Sequence, residues 1–282
     1  MRTFSIFLLV LMVAISCRNQ ELIRPGDTLD VAFDKAYGLF EEEQWTDAAR
    51  GFETVVSIGR GTITGQDAQY YLAESYYNAG QYLVAASEYE RYASFYPNSQ
   101  RRAEVDYKQA LCYHQLSPRY NLDQTHTYRA IELFQLYMAR FPNAEYVEEA
   151  GERIDELLNK LARKKYEAGN FYLRSNRQYR AAAVTFEQVL ENYPGTDWAE
   201  HALARQIEAY ILYADNSIPE RRAERYDMAI ESYQRYLQLF PSGENRQRVE
   251  ELYDRARLSY QEVTDGESGV DSESLTADRN EP

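Results

Sequence analysis

Histidine and cysteine are scarce in this sequence, and their scarcity argues against metal and nucleophilic chemistry. Only three histidines and two cysteines occur among 282 residues. His114, His126 and His201 are scattered, and none forms an H-x3-H or H-E-x-x-H pair that would place two ligands on one helix face. Acidic runs such as Glu41–Glu43 are typical of a solvated helix face. We therefore expect no metal, no cofactor apart from any covalent lipid, and no enzyme activity.

Positive charge is also in deficit. The chain has 31 lysines and arginines against 45 aspartates and glutamates, which gives a net charge of −14. An acidic body offers no attraction to nucleic acid or to anionic lipid headgroups. We therefore expect no nucleic-acid partner, and any attachment to a membrane has to come from something other than the charge of the folded body.

Glycine is sparse, but three glycines fall in the segment Ser57–Gly65, which reads SIGRGTITG. A phosphate-binding loop would need the pattern G-x-x-x-x-G-K-[ST] after a strand, and both the lysine and the strand are missing. The pattern therefore favours a loop of altered course over a nucleotide site.

The N-terminus carries an apolar run from Phe4 to Ile15, after Arg2, which is the layout of a secretory signal. The run is shorter than the roughly 20 residues that span a bilayer. Ala14–Cys17 resembles a bacterial lipobox, in which the cysteine becomes the lipidated first residue of the mature chain. The sequence thus predicts a lipoprotein signal peptide at residues 1–16 and a lipid on Cys17. An ordinary cleaved signal with an incidental cysteine is the alternative.

The residues after Cys17 predict a flexible tether over 17–28, because they are polar and include Pro25-Gly26. Eleven flexible residues span about 18 Å, which is enough to hold a folded body just off a membrane. Once Cys17 is acylated, Cys112 is the remaining thiol, so no intramolecular disulfide is expected. Cys112 lies in an Ala/Tyr-rich helical pattern, which predicts a small buried apolar side chain.

A repeated pattern of alanine, aromatic and proline residues dominates the rest of the chain. Counted from Tyr179, small or apolar side chains stand at Ala182, Ala183, Phe186, Val189 and Tyr193. This spacing puts them on one stripe of a helix. Pro194 follows and ends the helix, since proline cannot continue it.

The same spacing occurs at four other places. It begins at Tyr82, Thr127 and Tyr226, and an incomplete copy without the proline begins at Trp45. In the complete copies the alanine precedes an aromatic residue by four positions and the proline by twelve. This is the phase of the tetratricopeptide repeat (TPR), a helix–turn–helix unit of about 34 residues.

The repeats predict an all-α fold, an α-solenoid of about five expanded TPR-like repeats with a C-terminal capping helix. It should occupy residues 29–264, with an N-terminal half at 29–142 and a C-terminal half at 143–264. A helical pattern over 143–174 fits one continuous helix and also a break near Leu161–Lys165. From residue 265 the chain has no aromatic residue, which predicts a disordered acidic tail over 265–282.

Tyrosine is abundant, with 26 residues. Many tyrosines lie on the repeat stripe, whereas Tyr70, Tyr120 and Tyr172 are surplus to it. On the first helices of a TPR stack, tyrosine supplies a large contact area with a polar tip. The pattern fits a surface that grips a peptide, and it equally fits the filling of wide gaps between helices.

Taken together, these features resemble the BamD family, outer-membrane lipoproteins of the β-barrel assembly machinery. The resemblance rests on the lipobox at Cys17, on the repeat ends FYPNS, RFPNA, NYPGT and LFPSG, and above all on Lys165–Thr196. The sequence departs from the family in the missing proline after the first repeat, in the acidic tail and in its high tyrosine content.

The resemblance implies a non-enzymatic, lipid-anchored scaffold at the periplasmic face of the outer membrane. It implies three kinds of partner: unfolded outer-membrane proteins, the barrel-forming subunit with its periplasmic domains, and other assembly lipoproteins. The substrate contacts that it suggests are Tyr37, Tyr70, Tyr71 and Tyr77. The contacts to the barrel-forming subunit that it suggests are Arg174, Arg177, Arg180 and Tyr210.

Two other functions stay open on the sequence alone. One is a periplasmic TPR adaptor that coordinates envelope division with peptidoglycan synthesis, although no coiled-coil heptads are visible here. The other is a lipoprotein that captures glycans on aromatic platforms, although such proteins carry insertions that 282 residues do not accommodate.

Overall fold

The computed structural model describes residues 23–175 and 177–277, and over 266–277 it describes the backbone alone. Within these ranges the chain forms eleven α-helices and a short 3₁₀ helix, Pro219–Arg221, and it contains no strand. The α-helices are α1 Leu29–Glu41, α2 Trp45–Ile58, α3 Ile63–Asn78, α4 Tyr82–Phe95, α5 Arg102–Leu116, α6 Thr125–Arg140, α7 Val147–Arg174, α8 Tyr179–Asn192, α9 Asp197–Asp215, α10 Arg222–Leu239 and α11 Arg246–Ala277. The predicted all-α fold is confirmed.

The helices pack against their neighbours in the chain. Helix α1 packs against α2, α3 against α4, and α8 against α9. Packing also passes from one pair to the next, since α3 contacts both α2 and α1. Stacked helical pairs of this kind form the TPR-like solenoid that the repeats predict. Helix α11 packs against α9 and α10, in the position of the expected capping helix.

The chain divides into two compact units. Unit 1 consists of the residues up to Ser117 with His126–Ala150, and unit 2 consists of Pro118–Thr125 with the residues from Gly151 onward. The loop between α5 and α6 therefore belongs to unit 2. Lys164 on α7 donates a hydrogen bond through Nζ to the carbonyl oxygen of Leu122, which ties this loop to the second unit.

The predicted stripe residues form the cores. Ala182 and Phe186 of α8 have no exposed surface, and neither do Ala85 and Tyr89 of α4. Alanine lets the facing helix approach, and the aromatic ring four positions later fills the space beside it. Each such buried phenylalanine contributes roughly 3–5 kcal/mol to stability relative to alanine.

The prolines end their helices by the same geometry each time. Helices α4, α8 and α10 stop two residues before Pro97, Pro194 and Pro241, respectively. The intervening residue has an extended φ between −125° and −138° in all three cases. A residue before proline avoids the helical region, because the proline ring would clash with it.

The loop after the first repeat is shorter than the predicted segment Ser57–Gly65. Helix α2 continues to Ile58, and α3 already begins at Ile63. A Cβ on Gly65 would lie 2.0 Å from the carbonyl oxygen of Gly59, so only glycine permits this approach of α2 and α3. Thr62 caps α3 by accepting a hydrogen bond from the Gly65 N–H at 2.9 Å. Close backbone contact is the physical role of these glycines.

Two long helices concern the predictions for residues 143–174 and 265–282. Helix α7 is continuous over 28 residues, without a break near residues 161–165. Helix α11 continues over 265–277, where the sequence predicts disorder. That stretch has no proline to stop a helix, although its two glycines and three serines are weak helix formers. Residues 278–282 of the predicted tail lie outside the described residues.

The signal peptide, Cys17 and the residues up to 22 also lie outside the described residues. Within the last six residues of the predicted tether, Ile23 and Asp27 contact the folded body. Ile23 packs against the core between α1 and α2, and Lys35 Nζ donates to the Asp27 carboxylate at 2.6 Å. No helix in the described part of the chain is long and apolar enough to cross a bilayer.

Candidate interaction surfaces

Unit 1 contains an aromatic cluster where α1, α2 and α3 meet. The Tyr71 ring lies at its centre, 5.0 Å from Tyr37 and 5.3 Å from Phe40 between ring centroids. Phe33 and Phe52 complete the cluster. Burial, followed by the neighbouring Tyr37, raises the pKa of Tyr71. Tyr37 and Tyr71 are half-buried, so each combines a packed ring with an accessible edge.

Tyr70 is placed differently from the substrate contact that the resemblance suggests. It is only 8% exposed. Its hydroxyl donates to Glu104 Oε1 at 2.6 Å and accepts from Lys108 Nζ at 3.2 Å. The Arg101 guanidinium covers the ring at 4.7 Å from the centroid. Tyr70 therefore fixes α3 against α5 and has no face left for a ligand.

Further charged groups complete the contact between α3 and α5. Lys108 Nζ donates to Glu74 Oε1 at 2.6 Å, and the Tyr89 hydroxyl donates to the same carboxylate. Burial, followed by Glu74, raises the pKa of Tyr89. Lys108 Nζ lies between two carboxylates, 2.6 Å from Glu74 and 3.4 Å from Glu104, so this shared cation joins the two helices.

Tyr77 lies two helical turns beyond Tyr70 on α3. Its ring packs edge-on against Tyr82 at 5.3 Å, and it belongs to the core that also contains Cys112. Cys112 has no exposed surface, and burial raises the pKa of its thiol. The predicted role of Cys112 as a small buried apolar side chain is confirmed, and Tyr77 stays half-buried beside it.

Unit 2 contains a groove of about 860 Å³ where α7, α8 and α9 approach one another. We call it the Arg177 groove. It is lined by Tyr172, Arg177, Gln178, Tyr179, Arg180, Ala181, Val184, Thr185, Tyr213 and Asn216. Of the four partner contacts that the resemblance suggests, Arg177 and Arg180 lie together in it. Arg174 and Tyr210 do not line it.

The backbone at Arg177 is left-handed, with a φ of 48°. Glu43 and Gly80 hold the same place in their repeats, with φ values of 58° and 73°. In each case the next residue is a glutamine. Its backbone N–H donates a hydrogen bond to a carbonyl oxygen in the last turns of the preceding helix. Left-handed φ is uncommon for residues other than glycine. Arg177 is thus held on the groove by a strained turn.

The groove arginines differ from several other arginines of unit 2 in having no acidic partner. Arg205 pairs with Glu208 at 2.6 Å, and Arg235 pairs with Glu187. Neither Arg177 nor Arg180 makes an ion pair with any described residue. Tyrosine rings beside unpaired guanidinium groups make the groove suited to an acidic or aromatic protein surface.

Sequence reasoning missed the tyrosine walls of this groove. Tyr172, Tyr179 and Tyr213 come from three different helices, and only folding brings them together. A signal was present, since Tyr172 is surplus to the stripe and precedes Tyr179 by seven positions. The pairing with Tyr213 had no sequence signal.

The family “YfiO: Outer membrane lipoprotein” matches residues 26–225. The chain belongs to this family. Relatives of the chain carry the name outer membrane protein assembly factor BamD. The Caulobacter vibrioides protein is 32% identical over 147 residues, covering 52% of this chain and 48% of that protein. The Rickettsia prowazekii protein is 26% identical over 215 residues, covering 75% and 84%. The resemblance to the BamD family is confirmed.

Members of the YfiO family are scaffolds and not enzymes, which agrees with the expectation from the sequence. Likeness to solved structures is looser. The similarity to the TPR2AB-domain:pHSP90 complex of yeast Sti1 covers 89% of this chain and 98% of the Sti1 chain. The two are 14% identical, and the TM-score is 0.39.

Proposed function

We propose that this chain is a lipid-anchored scaffold of outer-membrane β-barrel protein assembly, held at the periplasmic face of the outer membrane. The observation that carries the proposal is the YfiO family match over residues 26–225. The name of the relatives, outer membrane protein assembly factor, supports it. A stack of TPR-like pairs is suited to this role, because it offers extended surfaces to other chains.

The anchor is a covalent lipid on Cys17. The family description as a lipoprotein and the signal layout of residues 1–17 support this assignment. Several acyl chains on one residue anchor stably, because each buried CH₂ contributes about 0.8 kcal/mol. We predict that Cys17→Ser abolishes palmitate labelling and moves the protein from the membrane to the soluble fraction. The control Cys112→Ala should keep both labelling and membrane attachment, and loss of labelling there would contradict the assignment.

The aromatic cluster of unit 1 is the proposed substrate surface. Its accessible members are Tyr37 and Tyr71, and Tyr77 adds a third half-buried ring on α3. Strands of barrel proteins present apolar side chains at alternate positions and aromatic residues near their ends, and both pack well on such rings. Tyr70 has a supporting role here, since it joins α3 to α5 through Glu104.

The Arg177 groove is the proposed docking surface for the barrel-forming subunit. Arg177 and Arg180 supply charge for an acidic periplasmic surface, and the tyrosine walls supply apolar contact. Arg174 and Tyr210 lie near it in the chain, and we place them at its edge. Other assembly lipoproteins would bind elsewhere on the scaffold.

Site-specific photocrosslinking tests this division of labour. We expect a crosslinker at Tyr37 to capture unfolded barrel proteins and one at Arg177 to capture the barrel-forming subunit. Tyr128, which is 57% exposed on α6, is a matched control position that should capture neither. Capture of the same species at Tyr37 and Arg177 would mean that the two surfaces do not have separate partners.

Depletion of the protein tests the function itself. Quantitative proteomics of the outer membrane should show the loss of many different β-barrel proteins. Unchanged barrel proteins together with failed growth on one glycan would instead support a capture lipoprotein, and a division defect alone would support an envelope adaptor.

A further inference from the structure

A second cavity of unit 2, about 440 Å³ in volume, shares no residue with the Arg177 groove. We call it the Arg163 pocket. It is formed by the loop between α5 and α6, by α7 and by the start of α9. Its lining residues are Arg119, Tyr120, Glu156, Asn159, Lys160, Arg163 and Trp198. A volume of this size falls in the usual range of ligand sites, about 300–1,000 Å³.

Arg163 is held between two aromatic rings. Its guanidinium carbon lies 4.3 Å from the Tyr120 ring centroid and 5.6 Å from the Trp198 ring. Trp198 is itself packed against Tyr166 at 5.0 Å. Stacking fixes the plane of the guanidinium and leaves its N–H donors free at the edge. In the described part of the chain, Arg163 has no hydrogen bond and no ion pair.

The wall that carries Arg119 is also fixed. Gln124, only 4% exposed, donates through Nε2 to the carbonyl oxygens of Arg119 at 2.9 Å and Leu122 at 3.0 Å. On the opposite side, Asn159 Oδ1 accepts from the Asp197 N–H at 3.1 Å and joins α7 to α9. The Arg119 guanidinium makes no ion pair with any described residue.

The charge of the pocket opposes that of the whole protein. Three lining residues are cationic and one, Glu156, is anionic, in a chain of net charge −14. Glu156 already lies 3.7 Å from Arg153. Burial lowers the pKa of Lys160, with Glu156 acting in the opposite direction. An incoming anion would therefore replace solvation that Lys160 has lost on burial.

We propose that the Arg163 pocket binds an acidic peptide segment of a partner protein, with an Asp or Glu carboxylate between Arg163 and Arg119. A guanidinium of fixed plane is suited to bind a carboxylate through two parallel hydrogen bonds. Both arginines are exposed, so a chain lying on the surface reaches them. The net charge of −14 disfavours a polyanion such as nucleic acid or an anionic bilayer, whereas one or two carboxylates meet little repulsion.

Trp198 provides a direct reporter of binding. The chain has two tryptophans, so Trp45→Phe in the full-length protein leaves Trp198 as the one indole emitter. The probe is the capped peptide Gly-Glu-Glu-Gly, compared with Gly-Gln-Gln-Gly of nearly the same shape. We expect a saturable change in Trp198 fluorescence with the glutamate peptide, and at least tenfold weaker binding of the glutamine peptide.

Variants in the same background separate a specific site from general electrostatics. Arg163→Gln should weaken the glutamate peptide at least tenfold, and Arg163→Lys should give an intermediate loss, since it keeps the charge without the planar fork. Arg257→Gln removes the same charge from an exposed position of α11 and should change nothing. Circular dichroism verifies that each variant is folded.

Three outcomes would overturn the proposal. The first is equal binding of both peptides, and the second is unchanged binding after Arg163→Gln in a folded protein. The third is tripolyphosphate binding more tightly than the glutamate peptide, which would assign the pocket to a phosphate ligand.

Discussion

At the residue scale, Gly38 and Gly80 offer the same space for a new side chain but have opposite backbone requirements. A Cβ at either position would meet nothing within 4 Å. Gly80 has a φ of 73° after α3, whereas Gly38 lies inside α1. We predict that Gly80→Ala lowers the free energy of unfolding by about 1–2 kcal/mol, and that Gly38→Ala raises it by about 0.5–1 kcal/mol. Urea unfolding at neutral pH measures both.

Gly195 supplies the control for this pair. It has equally open space and no left-handed φ, and it lies outside any helix. Gly195→Ala should therefore leave the stability within about 0.5 kcal/mol of the parent. A neutral Gly80→Ala would show that the turn before α4 tolerates a side chain, and that the strain assigned to Arg177 and Glu43 is small as well.

At the element scale, Glu200 joins three helices through one carboxylate oxygen. Glu200 Oε1 on α9 accepts from the Tyr236 hydroxyl of α10 at 2.6 Å and from the Asn245 N–H, just before α11, at 2.7 Å. Burial raises the pKa of Glu200, and these hydrogen bonds lower it. Together the hydrogen bonds have the larger effect, so the pKa lies below its ordinary 4.5. The ionised form is therefore the one that stabilises the end of the stack.

The sign of this shift fixes the pH dependence. The stabilisation is fully present above pH 4.5, the unfolded pKa, and is lost as pH falls through the lower folded pKa. We predict that Glu200→Gln costs about 1–2 kcal/mol at pH 7, and that the difference from the parent narrows below pH 4.5. Urea unfolding between pH 7 and pH 3 measures it. Glu220→Gln, at an exposed position, is the control, and a constant Glu200→Gln deficit at all pH values would contradict the assignment.

The helices were predictable from sequence because their causes are local. Ala182, Phe186 and Pro194 encode one face and one end of α8 at fixed spacing, and the structure has both. Contacts between elements were not predictable. Tyr70 is buried by Glu104, 34 positions later, and Arg163 stacks on Tyr120 of a distant loop. The periodicity of the sequence does not predict such pairs, because they depend on the distances of α5 and α7 from the elements that they contact.

At the scale of the whole molecule, each unit has its own buried clusters. Phe52 lies in a core of unit 1 with Ala32, and Phe186 lies in a core of unit 2 with Ala162. In repeat proteins a unit draws its stability from itself and from the units beside it. Removal of one of these rings should therefore destabilise mainly the helices that pack against it.

Hydrogen exchange read by mass spectrometry tests this locality. Both rings have no exposed surface, and Phe→Ala costs about 3–5 kcal/mol at such sites. We predict that Phe186→Ala speeds amide exchange in α7, α8 and α9 and leaves α1 to α3 unchanged, while Phe52→Ala does the reverse. Faster exchange along the whole chain in either variant would mean that the protein opens as one cooperative body. In that case a ligand in the Arg163 pocket would also protect the helices of unit 1, so the same measurement separates local from global coupling.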